Sequence, residues 1–135
     1  MIHLPKPVEY ALMALGEMQA GKPGQLFSVR TLADRLGIPY DRTGKVLQAM
    51  GRAGILRSVQ GKYGGYQIAR DLDDVSLATL MTVVVGPRAI AECLQPGQIC
   101  PHRDRCTIRR GIVRIAAKTR VFLESIPIRE MIDPC

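Results

Sequence analysis

The sequence predicts a mainly α chain with a small β wing: a winged helix-turn-helix domain plus a long C-terminal dimerisation helix. Three observations carry this prediction. Two short helical stretches flank a glycine turn at Gly37, two β-prone runs flank a glycine-rich tip at residues 60–65, and an apolar seam at helical spacing runs over residues 108–126. With 135 residues and 47% hydrophobic content, one small core is expected, with surplus apolar surface left for a second copy.

The elements follow in order. Val8, Ala11, Leu12, Leu15 and Met18 recur at helical spacing behind Pro7, which suits a first turn, and Gly21-Lys22-Pro23-Gly24 stops that helix. Ser28 is placed to cap a helix over 29–36, Gly37 closes it, and Pro39 opens another that reaches Ala53 with Val46, Leu47 and Met50 on its inner face. Residues 55–59 and 66–69 then form the two sides of a hairpin wing. Ser76 caps a helix through Val85, which Gly86-Pro87 ends. The final element is a helix of about five turns in which Ile108, Ile112, Ile115, Thr119, Phe122 and Ile126 form one seam, with Arg109, Arg110, Arg114, Lys118 and Arg120 on other faces. A seam of that length calls for a second helix, and a homodimer is expected. The division is residues 1–85 for the winged helix-turn-helix, 86–107 for a cysteine-containing loop, and 108–135 for the dimerisation helix and tail.

Charge gives the first functional pointer. The 19 Lys+Arg against 12 Asp+Glu leave a net +7, and its distribution is uneven. Between Ser28 and Arg70 there are eight basic residues and two acidic ones, so a polyanion is the expected partner of that stretch. In a helix-turn-helix the second helix enters the major groove with its N-terminal residues at the base edges. That places Tyr40, Asp41, Arg42, Thr43 and Lys45 near double-stranded DNA, with Arg42 the strongest prospect for a guanine. Arg30 belongs to the same basic run, and Arg57 and Lys62 flank the wing, where a phosphate or a minor groove is in reach. Tyr66 reads as packed beneath the wing.

Other classes find little support. There is no nucleophile–base motif, no phosphate-cradling glycine loop before a Lys-Ser/Thr, and histidine occurs twice, so an enzyme is not expected. No window approaches a membrane span, and Met1-Ile2-His3-Leu4-Pro5 lacks the cationic and apolar regions of a signal peptide, so a cytoplasmic location is expected. Thiols there stay reduced, which makes the four cysteines ligands or free thiols rather than a disulfide framework.

Cys93, Cys100 and Cys106 crowd one stretch directly before the long helix. Thiolate is the soft donor that iron–sulfur clusters require, and three of them leave a coordination position for something else. A structural zinc with His102 as fourth ligand is the alternative, although the spacing lacks the close Cys pairs of zinc knuckles. A metal-free thiol redox sensor is another, and Cys135 reads as a spare thiol.

The order of parts resembles the bacterial winged-helix iron–sulfur transcription regulator family that includes IscR, NsrR and RirA. The resemblance covers nearly the whole chain and is sharpest in the run from Ala53 to Tyr66, AGILRSVQGKYGGY, which follows the family pattern AGxxRSxxGxxGGY, and in the cysteine triplet. It implies a repressor that holds a 4Fe–4S or 2Fe–2S cluster through Cys93, Cys100 and Cys106, responds to nitric oxide, iron, cluster or redox status, and binds a pseudo-palindromic operator as a homodimer. It also bears on the fourth ligand. In the IscR branch a histidine three residues after the last cysteine fills that role, and here the position is Arg109, a permanent cation that cannot bind iron. In the NsrR branch an acidic residue near the N-terminus, supplied by the other subunit, fills it, and the match in VEYAL is Glu9. The resemblance therefore sits closer to the NsrR/RirA-like branch, with Glu9 as a hard, easily released ligand.

Overall fold

A computed structural model describes residues 3–132. The helices are α1 (Lys6–Ala20), α2 (Val29–Leu36), α3 (Tyr40–Arg52), α4 (Leu77–Val85) and α5 (Arg109–Glu124), with strands β1 (Leu56–Val59) and β2 (Gly65–Ile68) between α3 and α4. Short 3-10 turns occur at Leu72–Asp74, Glu92–Leu94 and Ile128–Met131. Helices α2 and α3 form the helix-turn-helix, and β1 and β2 form the wing.

Local chemistry fixes the boundaries near where the sequence put them. Pro7 lies in the first turn of α1, where a missing N–H costs nothing. The Ser28 hydroxyl accepts from the Thr31 N–H at 3.1 Å, satisfying an orphan donor at the start of α2. Gly37 ends α2 at φ +66°, the left-handed region where a side chain would be strained. Ser76 caps α4 through the Thr79 N–H at 3.1 Å.

The wing is antiparallel, with Leu56 opposite Ile68, Arg57 opposite Gln67, Ser58 opposite Tyr66 and Val59 opposite Gly65. Phe27 extends it by one bridge, exchanging backbone hydrogen bonds of 2.9 and 2.8 Å with Tyr66. The pair Gly64-Gly65 is demanded by this arrangement. A Cβ on Gly64 would overlap the Val59 carbonyl, and one on Gly65 would stand 2.7 Å from the Phe27 carbonyl oxygen.

The core lies among α1, α2, α3, α4 and the base of the wing, with Leu15, Phe27, Leu32, Leu47, Met50, Ile55 and Leu80 almost fully buried. Among the described residues, every buried one but Ile128 falls between Val8 and Leu80, and none falls between Met81 and Pro127.

The end of the long helix differs from expectation. α5 stops at Glu124, so Ile126 is not part of its seam. The cause is Pro127, which has no N–H to give and disfavours helical geometry at the residue before it. The chain turns and runs extended beside Ser76: Leu77 N–H donates to the Ile126 carbonyl and Ile128 N–H to the Val75 carbonyl, both at 2.8 Å. Ile128 is thereby buried in the same core as α1, α3 and α4, and Arg129 forms ion pairs with Asp71 at 2.8 Å and Asp73 at 2.9 Å. The tail after α5 thus packs with the residues that follow the wing.

Candidate nucleic-acid interface and cysteine loop

The second helix of the helix-turn-helix presents Tyr40, Asp41, Arg42 and Lys45 to solvent. Arg30 on α2 lies over the Tyr40 ring at 4.6 Å from its centroid, a stacked cation that joins the two helices at the start of α3. Thr43 corrects the expectation drawn from its position. It is 1% exposed, and its hydroxyl donates to the Pro39 carbonyl at 2.8 Å, so it stabilises the first turn of α3 from inside and offers nothing to a duplex. A one-residue step along a helix turns the side chain by about 100°, which is why Arg42 is exposed and its neighbour is not.

On the wing, Arg57 is exposed on the face opposite Leu56 and lies directly across from Gln67. With the Gln67 amide turned so that its oxygen faces the guanidinium, that oxygen accepts from Nη2 at 2.7 Å and from Nε at 3.1 Å. Lys62 and Tyr63 occupy the tip, the ammonium 5.6 Å from the ring centroid and the ring 84% exposed. Tyr66 is half-buried against the core, as its position predicts. The Gln67 contact was missed from the sequence. Counting outward from the glycine-rich tip pairs Arg57 with Gln67, so the signal was present.

The cysteine loop joins α4 to α5. Cys93 lies in the 3-10 turn, Cys106 lies just before Ile108, the residue that caps α5, and Cys100 lies between. All three are half-buried and free, and the loop is held by local hydrogen bonds such as Ala89 N–H to Gln95 Oε1 at 3.2 Å. Among the described residues no three His, Cys, Asp or Glu side chains converge on a point that would hold one metal ion. The donor set still fits a cluster by its chemistry: three soft, unpaired thiols on a loop with no buried residue to resist rearrangement. Glu9 lies in the first turn of α1, where it forms an exposed ion pair with Lys6 at 2.8 Å, and this hydrogen bond and attraction hold the Lys6 ammonium above its ordinary pKa. His102 is exposed, Arg109 begins α5, and Cys135 lies outside the described residues.

Helix α5 buries none of its residues. Ile112, Ala116 and Leu123 are half-covered, whereas Ile108, Ile115 and Phe122, spaced by seven, are 63%, 53% and 59% exposed. No helix of the described residues is long and apolar enough to cross a membrane.

Comparison with known proteins decides the family. Residues 4–134 match the family described as Rrf2, iron-dependent transcriptional regulator. The chain belongs to the Rrf2 family. It is 29% identical over 133 residues to a Rhodobacter capsulatus protein named rrf2-like, covering 93% of this chain and 89% of that one. It is 20% identical over 125 residues to the transcriptional regulator NsrR of Bacillus subtilis, covering 92% and 86%. Among solved structures, CymR, the global cysteine regulator of B. subtilis, superposes with a TM-score of 0.71 at 19% identity, covering 98% of this chain and 97% of that one. IscR of T. potens gives 0.68 at 18% identity, covering 96% and 85%. These superpositions establish the shared winged-helix fold, and Rrf2 membership makes the chain a DNA-binding regulator of transcription rather than an enzyme.

Proposed function

We propose that this Rrf2 protein is a cytoplasmic, homodimeric repressor that holds an iron–sulfur cluster, 4Fe–4S or 2Fe–2S, through Cys93, Cys100 and Cys106, with Glu9 of the partner subunit as the fourth ligand. The observation that carries the reading is the set of three free, half-buried cysteines on the loop leading into α5. When bound, the cluster supplies a centre that nitric oxide, oxygen or iron shortage can alter. The chain's residues do the rest. Arg42, Tyr40 and Lys45 read one half-site, with Arg30 stacked on Tyr40; Arg57 and Lys62 grip the backbone; and the Ile108, Ile115 and Phe122 face pairs with its copy so that two reading heads span a pseudo-palindromic operator. Because the loop feeds directly into α5, a change in its conformation alters the spacing of the two heads, a shift between binding-competent and incompetent dimers. Glu9 has to release Lys6 to ligate, and an exposed pair of this kind holds weakly.

The test is iron, acid-labile sulfide and visible absorption of the full chain purified without oxygen. The native chain should be coloured and carry both elements, and Cys100→Ser should lose them while staying folded, because no residue of its loop is buried. Glu9→Ala should leave a more labile cluster, and His102→Ala should change little. Full occupancy in Cys100→Ser would overturn the assignment.

A second reading is a metal-free thiol sensor, favoured by the observation that three donors do not converge among the described residues. It predicts a colourless protein without iron, sulfide or zinc, in which mild oxidation links loop cysteines and changes DNA affinity.

A further inference from the structure

Side-chain partners restrain some of the cations of this chain, and those partners are of two chemically different kinds. Lys6, Arg35, Arg120 and Arg129 pair with carboxylates, Glu9, Glu17, Glu124, and Asp71 with Asp73. On the wing and where α2 meets the start of α3, a neutral partner takes the carboxylate's place. Arg30 rests on the Tyr40 ring, Lys62 stands over Tyr63, and Arg57 is held by the Gln67 amide. Among the described residues, no carboxylate lies within ion-pair distance of any of these three.

A carboxylate partner fixes a guanidinium and cancels its charge. A neutral partner fixes it and leaves the charge in place. For a group whose target is a phosphate the second arrangement is the useful one, because the ordering of the side chain is completed before binding while the attraction is kept. Gln67 is the best placed of the three partners. It is directly opposite Arg57 across a two-stranded ladder, so strand pairing itself sets the distance, and it takes Nε and one proton of Nη2. Of the five guanidinium N–H groups this leaves both on Nη1 and one on Nη2, the edge that grips two phosphate oxygens in a forked contact.

We infer that Gln67 is a positioning residue for DNA binding: it holds the Arg57 fork ready for a backbone phosphate without neutralising it. The inference rests on the DNA-binding role carried by the family and not on the cysteine chemistry, so it stands whether or not the loop holds a cluster.

A double-mutant cycle on the full chain tests it, with a random-sequence DNA duplex as probe, since a phosphate contact carries no base information. Gln67→Leu should weaken binding about three- to ten-fold in the native background, the cost of ordering one long side chain at an interface. It should have no effect in the Arg57→Ala background. Gln67→Glu keeps the acceptor and cancels the charge, so the slope of log affinity against log salt should become shallower by about one. Equal weakening by Gln67→Leu in both backgrounds would mean that Gln67 acts through the shape of the wing, and an unchanged slope in Gln67→Glu would mean that Arg57 meets no phosphate. Either result overturns the inference.

Discussion

Helices α3 and α5 are close in length and both amphipathic, yet they stand in opposite conditions. α3 buries Thr43, Val46, Leu47 and Met50 against its own chain, whereas α5 buries nothing and leaves Ile108, Ile115 and Phe122 open. The same contrast holds for the regions around them, since the reading head contains the core and residues 81–127 contain no buried side chain. A reader must be rigid to hold register on a duplex, and its rigidity is supplied within one chain. The loop and α5 bury no side chain within the chain, which is the condition that the proposed sensing role, with a second copy and a bound group as covering, requires.

The strongest way to break this comparison is to charge the open face of α5. Ile115→Glu combined with Phe122→Glu should give a monomer by sedimentation and weaken operator binding about a hundred-fold or more, because the second half-site is no longer held at high effective concentration. The melting of the monomer's reading head should hardly move, since neither side chain is buried in its own chain. A double variant that remained dimeric would place the interface elsewhere.

Truncation sharpens the same contrast from the other side. Leu47 is fully buried, and Leu47→Ala should cost about 2–5 kcal/mol in urea unfolding. Val121 is 66% exposed on the far side of α5 from the Ile115 stripe, and Val121→Ala should stay within about 0.5 kcal/mol of the native chain. Similar losses at both sites would mean that α5 is covered where the single chain shows it open.

A smaller contrast separates neighbours on one helix. Arg42→Ala should cost about 1–3 kcal/mol of operator affinity and relax base preference. Thr43→Val should leave affinity for DNA intact and lower stability by about 1 kcal/mol, because the buried hydroxyl no longer donates to Pro39. DNA titration and thermal melting of both variants check the pair, and a Thr43→Val that bound DNA poorly yet melted normally would return Thr43 to the interface.

The reading head was legible because its instructions are local. Ser28, Gly37 and Ser76 act within a turn of themselves, and the wing's glycine pair answers to clashes a few residues away or across one bridge. What escaped was set by contacts distant in sequence or by phase along a helix. Helical periodicity continued through Ile126 on paper, but Pro127 and the pull of the core on Ile128 redirect the chain after Glu124. Thr43 counted as one of several polar residues at a helix start, and only its phase reveals that it faces inward. The Arg129 clamp on Asp71 and Asp73 joins positions 58 and 56 residues apart, which no local pattern announces. The cysteine triplet was equally plain in the sequence, while whether its thiols converge is not a property of spacing, because no buried residue fixes the shape of the loop that carries them.

That clamp allows the smallest of the predicted effects, and the one that ties the tail after α5 to the turn that follows the wing. The Asp73 backbone N–H, and after it the Arg129 guanidinium, hold the Asp71 carboxyl below its ordinary pKa, and Asp71 and Asp73 hold Arg129 above its own. A carboxyl with a lowered native pKa favours the folded chain fully above the ordinary carboxylate range, about pH 4, and loses that contribution as pH falls through the lowered value. Asp71→Asn keeps an acceptor for the Asp73 N–H and removes the charge facing Arg129. It should therefore melt slightly below the native chain at neutral pH, and the gap should close on acidification as native Asp71 protonates. Added salt should narrow the gap at neutral pH, because the pair is exposed and screened. Melting curves of the two chains from neutral pH down past 4 measure this directly. A gap that stayed constant across that range would show that the Asp71–Arg129 pair contributes nothing to the docking of the tail, which Ile128, its backbone bonds and the Asp73 pair would then hold.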